Sequence, residues 1–564
     1  MRKFVSPDFT CESWKSVESY LLDLQNRDIS TKESFKQWLF DKSELEAVLE
    51  ENMAWRYIKM TINTLDEKLT ESYQFFVTEI QPNLAPFEDS LNQKMMASSF
   101  VKELATDKAY SIYFRGVQSA LELFREENIS LETELSTLSQ QFGAISGKQM
   151  ISYEGKELTM PQAANFLKDP NETVRKEVYE LITSRRLEDR EALDDLFNQL
   201  IQLRNKVAKN ADCVDYRDYK FKALGRFDYT VEDCLAFHDA IETLIVPIVK
   251  QISLKKLDKL GKSKLKPWDT EVDPDGLAPL KPFENGEELL DKSIAVFQKL
   301  DSYFGDCLKT MKTGGFLDLD SKAGKAPGGY NYPLYESGIP FIFMNAAGAQ
   351  RDLTTMVHEG GHAVHSFLSR DLELTGFKSL PSEVAELASM SMELLTMELW
   401  GEFYTNENDL KRAKLEQIES VVKVLPWIAQ IDAFQHWIYT HPTHTTEERT
   451  QEWLKLSKRF GTGLVDYNGY EAVLESSWQK QLHLFEVPFY YIEYGIAQLG
   501  ALGVWNNYKK NPAKALTDYK NALSLGYSKS IPEIYETAGL KFDFSQVALE
   551  DLSKGLVNSI NELN

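Results

Sequence analysis

The chain has 564 residues, 43% of them hydrophobic, and a formal net charge of −23, so it is long enough for two or more core-bearing units. So acidic a balance argues against nucleic acid or anionic membranes as partners, and no apolar run approaches the roughly 18 residues of a transmembrane helix. The N-terminus has a basic start but no signal-peptide apolar stretch, and Cys11, Cys213, Cys234 and Cys307 show no C-x-x-C spacing, so free buried thiols in a cytoplasmic protein are expected.

From residue 12 to 142 the texture is helical, with long amphipathic segments such as Glu44 to Leu69 and Glu88 to Leu104. Around Ile151 to Met160 the pattern changes to strand and predicts a small hairpin at Gly155. Helical periodicity resumes from Asn171 through Ala208. A polar connection bearing Pro267-Trp268-Asp269 then runs from Gly261 to Phe283. One boundary near residue 200 is expected, between an N-terminal helical domain over 1–200 and a second domain over 201–564. The one convincing β region is Phe316–Asp320 and Pro340–Asn345, separated by a glycine-rich loop from Ala323 to Tyr332 with Gly328, Gly329 and Tyr330 at its centre. Lys325 is followed by Ala326, so the loop is no phosphate-binding P-loop. It reads as a flap over substrate or as a passive turn.

Residues 358 to 365 read His-Glu-Gly-Gly-His-Ala-Val-His and contain H-E-x-x-H. Two histidines four apart stack on one helical face, close enough to share a zinc ion, and Glu359 between them reaches a bound water. Taking Leu353 to Leu368 as the helix, Leu353, Met356, Val357, Val364, Phe367 and Leu368 fall on one side with Gly360 and Gly361. His358, His362 and His365 fall opposite, and Asp352 or Thr354 caps the start. Each glycine costs a helix about 1 kcal/mol relative to alanine, so the pair predicts a close-packed neighbour.

His365 lies two turns beyond His358, too far to be a third ligand, and is assigned a supporting place beside the site. The third ligand is therefore expected from a second helix, Pro381 to Trp400, on which Glu386, Ser389, Met390 and Glu393 share a face. Glu386 is the ligand candidate. Ser389 and Glu393 are placed to orient an imidazole N–H. Farther on, His436, His441 and His444 cluster around Trp437 and Tyr439, but Pro442 breaks the helix and no carboxylate pattern supports a second zinc there.

His-Glu-x-Gly-His-x-x-His, followed by Glu386-x-x-Ser389-x-x-x-Glu393, resembles the thimet oligopeptidase family, and within it the oligoendopeptidase F branch. A further motif of that branch is matched by His483-Leu-Phe-Glu-Val-Pro-Phe-Tyr490-Tyr491-Ile-Glu-Tyr494. The resemblance covers residues 200 to 550 and implies a mainly α, two-lobed helical zinc peptidase of the gluzincin type. Such a fold encloses a deep substrate channel and sets a small β-sheet next to the zinc helix. It further implies one Zn(2+) per chain on His358, His362 and Glu386, short unfolded oligopeptides as substrates, and catalytic roles for His483 and the tyrosines, Tyr494 the firmest match.

Zinc would lower the pKa of a bound water to about 7, with Glu359 as general base and a tyrosine hydroxyl or His483 stabilising the oxyanion. An edge strand over Phe341 to Ala347, including Phe343, Asn345 and Ala346, is expected to pair with substrate backbone. Two other readings are a zinc carboxypeptidase on a related helical fold and a non-catalytic zinc-binding scaffold. Against the second stands the intact Glu359.

Overall fold

The computed structural model describes residues 2–322, 324–326 and 328–563. Ala323 and Pro327 of the glycine-rich loop lie outside the described residues. Helices dominate, and local chemistry sets their ends. Thr31 and Ser34 cap the helix Lys32–Ile62 reciprocally. The expected continuous helix to Leu69 instead breaks after Ile62, because Asp66 starts a new one, Glu67–Phe75, by accepting from Lys68 N at 3.0 Å. The hairpin forms as expected from β1 (Met150–Tyr153) and β2 (Lys156–Thr159), with Glu154 and Gly155 both at positive φ in the turn.

A three-stranded sheet combines β3 (Leu317–Asp320), β4 (Tyr330–Tyr332) and β5 (Phe341–Ala346) in the order β3-β5-β4. The parallel partner β3 and the antiparallel partner β4 flank β5 on both sides. The expected substrate-pairing edge at Phe341, Phe343, Asn345 and Ala346 is thereby corrected: β5 is the central strand, and its backbone is already paired. Read as loop, residues 330–332 are the edge strand.

Next comes the histidine helix, Gln350–Ser369. Asp352 holds its start from inside the first turn, accepting from Ala347 N at 2.8 Å and Ala349 N at 3.0 Å. The glutamate helix, Ser382–Thr396, begins after Pro381 and tightens into a 3-10 turn over Met397–Glu402. A Cβ on Gly361 would stand 2.7 Å from Ser389 Cα and 2.9 Å from Ala388 O, and one on Gly360 would stand 2.6 Å from Phe297 Cζ. Gly361 therefore lets the two site-bearing helices touch backbone to backbone, while Gly360 makes room for the Phe297 ring of the helix Gly286–Leu300. A long helix, Glu407–Thr440, and the tyrosine helix, Tyr491–Lys510, pack around this pair.

Two large cores organise the chain. One gathers N-terminal residues from Val5 to Val117 together with Leu374 and Phe377; the other runs from Leu123 to Ile560. A third, small cluster of Ala54, Ile58, Leu334, Phe341 and Phe343 fastens the sheet to the helix Lys32–Ile62. Among the described residues no helix is long and apolar enough to cross a membrane.

Candidate active site

The rings of His358 and His362 meet edge to face with centroids 4.9 Å apart. Across the helix contact, Glu386 Oε2 lies 3.3 Å from His358 Nε2 and 3.7 Å from His362 Nε2. Metal bonds of about 2.0–2.2 Å to nitrogen and oxygen imply donors about 3.3–3.5 Å apart in a tetrahedral set. Two imidazole nitrogens and one carboxylate oxygen at these separations fit a divalent metal. His362 and His358 outweigh burial and, with a hydrogen bond from Tyr490, bring the Glu386 carboxyl down to about 2, so it is ionised and ready to bind a cation. Burial lowers His362 to about 4, leaving it neutral, as a ligand must be.

Each donor is held from behind, His362 by the Ala385 backbone. Glu393 Oε1 accepts from His358 Nδ1 at 2.7 Å, so Nε2 is the nitrogen turned toward the metal position. Gln417 Nε2, on the long helix, donates to Glu393 Oε2 at 2.7 Å, and its Oε1 accepts from Thr354 at 3.1 Å. Ser389 differs from expectation: its hydroxyl lies 3.0 Å from Glu386 Oε2 and orients that carboxylate, not an imidazole. Tyr490 OH donates to the other Glu386 oxygen at 2.9 Å.

Glu359 is buried beside these groups. Burial, then the nearby Glu386 and Glu393 charges, push its carboxyl up to about 7 against the opposing pull of His358. His365 does not join the network, correcting its expected supporting place. It is fully buried, with its ring against the Leu523 backbone rather than any metal donor. Burial and the neighbouring His362 lower it to about 3, so it packs as a neutral ring.

Facing the metal position is an aromatic wall. Tyr490 and Tyr494 rings lie 5.0 Å apart, and Tyr494 OH sits 3.4 Å from His483 Nε2. Tyr491 packs its ring edge-on to His483 at 4.9 Å. One chain of hydrogen bonds settles the state of His483. Trp427 Nε1, a donor only, gives its proton to Gln481 Oε1 at 3.1 Å, so the Gln481 amide nitrogen must face His483 Nδ1, 2.8 Å away. Nδ1 therefore accepts, and in the neutral ring the proton sits on Nε2, toward the cleft. Burial lowers this imidazole to about 4 and keeps it neutral.

The wall rests on a strained residue. Phe489, just ahead of Tyr490, has φ +68°, where a large side chain is held at a cost of about 1–2 kcal/mol. Gln435 Oε1 accepts from its N–H at 2.6 Å, and the buried guanidinium of Arg226 donates to its carbonyl while pairing with Glu493 at 2.8 Å.

The sheet closes one side. Asn331 Nδ2 on β4 donates to Glu359 O at 3.4 Å. Phe341 and Phe343 point into the small core, Asn345 donates to Ala326 O at 2.7 Å and Gly328 O at 2.9 Å, and buried Ala346 accepts from Ser321 N at 3.1 Å. These residues hold the loop rather than face a ligand. Gly329 packs against Thr355 and β5, and Tyr330 stacks on Phe343 at 4.7 Å and bonds Thr61 at 2.6 Å. Lys325 bonds Asp318 Oδ1 at 2.6 Å and the Met344 carbonyl, tying its part of the loop to β3 and β5. Gln417, Gln481, Trp427 and Arg226 were not found from the sequence; only Gln481 carried a signal, standing two residues from His483.

A histidine pair with a carboxylate between them, completed by a glutamate from a second helix, defines a zincin-type metallopeptidase site on a helical fold. Comparison with known proteins agrees. Residues 165–553 match Peptidase family M3, and residues 7–124 match the Peptidase M3 N-terminal domain. The chain belongs to Peptidase family M3. It is 23% identical over 406 residues to the oligopeptidase PepF of Bacillus subtilis, covering 68% of this chain and 56% of that one. To an oligoendopeptidase F homolog of Mycoplasma genitalium it is 22% identical, covering 93% and 91%. Among solved structures, Pz peptidase A with an inhibitor superposes with a TM-score of 0.92 at 25% identity, covering 99% of both chains.

Proposed function

We propose that the protein is a zinc-dependent oligoendopeptidase of the oligoendopeptidase F branch, cleaving short peptides in a channel between its lobes. The observation that carries the reading is the convergence of His358, His362 and Glu386 beside a buried Glu359, opposite a wall of hydroxyl and imidazole donors. These three residues would hold one zinc ion, which when bound supplies Lewis-acid polarisation and a lowered pKa for water. Glu359 takes a proton from the attacking water onto its carboxylate and later returns it to the nitrogen of the leaving amine. His483 Nε2–H and Tyr494 OH donate hydrogen bonds to the carbonyl oxygen as it gains charge, with Tyr490 holding Glu386 and Tyr491 buttressing His483. Substrate backbone pairs with the free edge of β4 at Tyr330–Tyr332 instead of with β5. We further propose a boundary between an N-terminal helical domain and the catalytic domain nearer residue 124 than 200, since the main core begins at Leu123. Four buried, unpaired cysteines support a reducing, cytoplasmic setting.

The test is a set of internally quenched peptides with products identified by mass spectrometry. Glu359→Gln should keep bound zinc and lose nearly all turnover, whereas Glu386→Ala should lose the metal. Turnover within about tenfold of the parent in Glu359→Gln removes it as general base.

A further inference from the structure

Away from this site, Cys234 and His238 stand four residues apart on the helix Val231–Ala240, and Asp432 and His436 four apart on the long helix packed against it. All four are buried. Asp432 Oδ2 accepts from His238 Nε2 at 2.8 Å and lies 3.2 Å from His436 Nε2. Donor atoms of Cys234, Asp432 and His436 come within 4.8 Å of one another. His238 Nδ1 and Asp432 Oδ1 have no hydrogen-bond partner among the described residues, and His436 Nε2 meets only Asp432 Oδ2. Two orphaned atoms, one of them on a fully buried carboxylate, are an expensive arrangement unless something satisfies them.

We propose that Cys234, Asp432 and His436 form a second, structural site for a divalent transition metal, with His238 steadying the Asp432 carboxylate. Thiolate, imidazole and carboxylate together are a donor set suited to zinc. Zinc bonds of about 2.3 Å to sulfur and 2.0–2.2 Å to nitrogen and oxygen set the donors about 3.3–3.6 Å apart, so the cluster needs to contract by about 1 Å. Binding releases the thiol proton to solvent and moves the His436 proton from Nε2 to Nδ1. Arg217 Nη1 lies 3.4 Å from that Nδ1; partly exposed and paired with Asp215 at 3.8 Å, it has room to turn away. His441 and His444 stay outside, the first stacked on Trp437 at 5.1 Å and the second tilted against it at 4.9 Å. The histidine cluster seen in sequence thus supplies only His436, and its carboxylate partner is Asp432, one helical turn earlier. Gln435, which holds Phe489, adjoins His436, so the metal would brace the segment supporting the aromatic wall.

The experiment is a metal count on the full-length protein, together with the absorption spectrum of the apoprotein reloaded with cobalt. We expect about two metals per chain and a thiolate-to-cobalt charge-transfer band in the near ultraviolet. Cys234→Ser, nearly isosteric, should bring the count to about one and abolish the band. The catalytic donors contain no cysteine, so His358→Ala must leave the band in place whether or not the peptidase reading holds, and its survival in Cys234→Ser would assign it to Cys11, Cys213 or Cys307 and overturn the proposal. One metal per chain without the band in the parent overturns the proposal and leaves Asp432 as a carboxylate shared by two imidazoles. Should Cys234→Ser fail to fold, His436→Gln takes its place and should likewise remove the band and one metal.

Discussion

Replacing Gln481 by glutamate changes one amide into a carboxylate and should invert the proton on His483. The Trp427 indole can still donate to residue 481, but a carboxylate facing His483 Nδ1, where the amide now stands 2.8 Å away, accepts rather than donates. The neutral ring then carries its proton on Nδ1, and Nε2 presents a lone pair to the carbonyl oxygen. Loss of one preorganised oxyanion donor is worth about 2.7–4 kcal/mol, so kcat should fall about 10²–10³-fold with KM little changed. Gln481→Leu removes the hydrogen bond without imposing the wrong tautomer; at about 1 kcal/mol it should lower kcat only five- to tenfold. The two variants also differ with pH. The introduced carboxylate raises the His483 pKa, and the imidazolium regains Nε2–H. Relative to the parent, Gln481→Glu should therefore be worst at high pH and recover as the pH falls, while Gln481→Leu stays flat. Stopped-assay kcat values from pH 5.5 to 8.5 measure this. Parental kcat for Gln481→Glu at pH 8 would refute the assignment of His483 Nε2–H as a donor.

Three further outcomes are expected. Tyr494→Phe deletes the hydroxyl 3.4 Å from His483 and should lower kcat about a hundredfold without changing zinc content, as read by steady-state kinetics and metal analysis. Glu393→Gln lets the amide misorient His358 and should weaken zinc affinity about 10–100-fold in a chelator competition titration, with Gln417→Leu weaker in the same direction. Gly361→Ala pushes a methyl group to within 2.7 Å of the glutamate-helix backbone and should destabilise by about 1–3 kcal/mol, seen as a lower Tm together with weaker metal retention, whereas an alanine at exposed Gly143, with nothing within 4 Å of its Cβ, should be neutral or stabilising.

What the sequence made legible was what one helix face can state. The spacing of His358, Glu359 and His362, the shared face of Glu386 and Glu393, and the need of Gly360 and Gly361 for a close neighbour all follow from 3.6 residues per turn. His365 misled because seven residues return to nearly the same face, yet two turns on the helix is already inside the core. The sheet misled differently: a run as apolar as Phe341–Met344 reads as a strand, but apolarity on both faces marks the centre of a sheet, and its partner at Tyr330–Tyr332 was hidden in a glycine-rich stretch. Gln417 and Trp427 carry no local signal, and Gln481 only its nearness to His483, since an amide or indole becomes informative only when folding shows which atom it faces. Asp432 was passed over because its partners, Cys234 and His238, lie about two hundred residues away.

Phe489 sits in an unfavourable backbone conformation held by Arg226 and Gln435, groups from chain segments more than two hundred and more than fifty residues earlier. The aromatic wall therefore depends on segments remote from it in sequence, whereas His358, His362 and Glu386 stand on two helices of their own, so a change at Arg226 or Gln435 loosens the tyrosines and leaves the metal donors where they are.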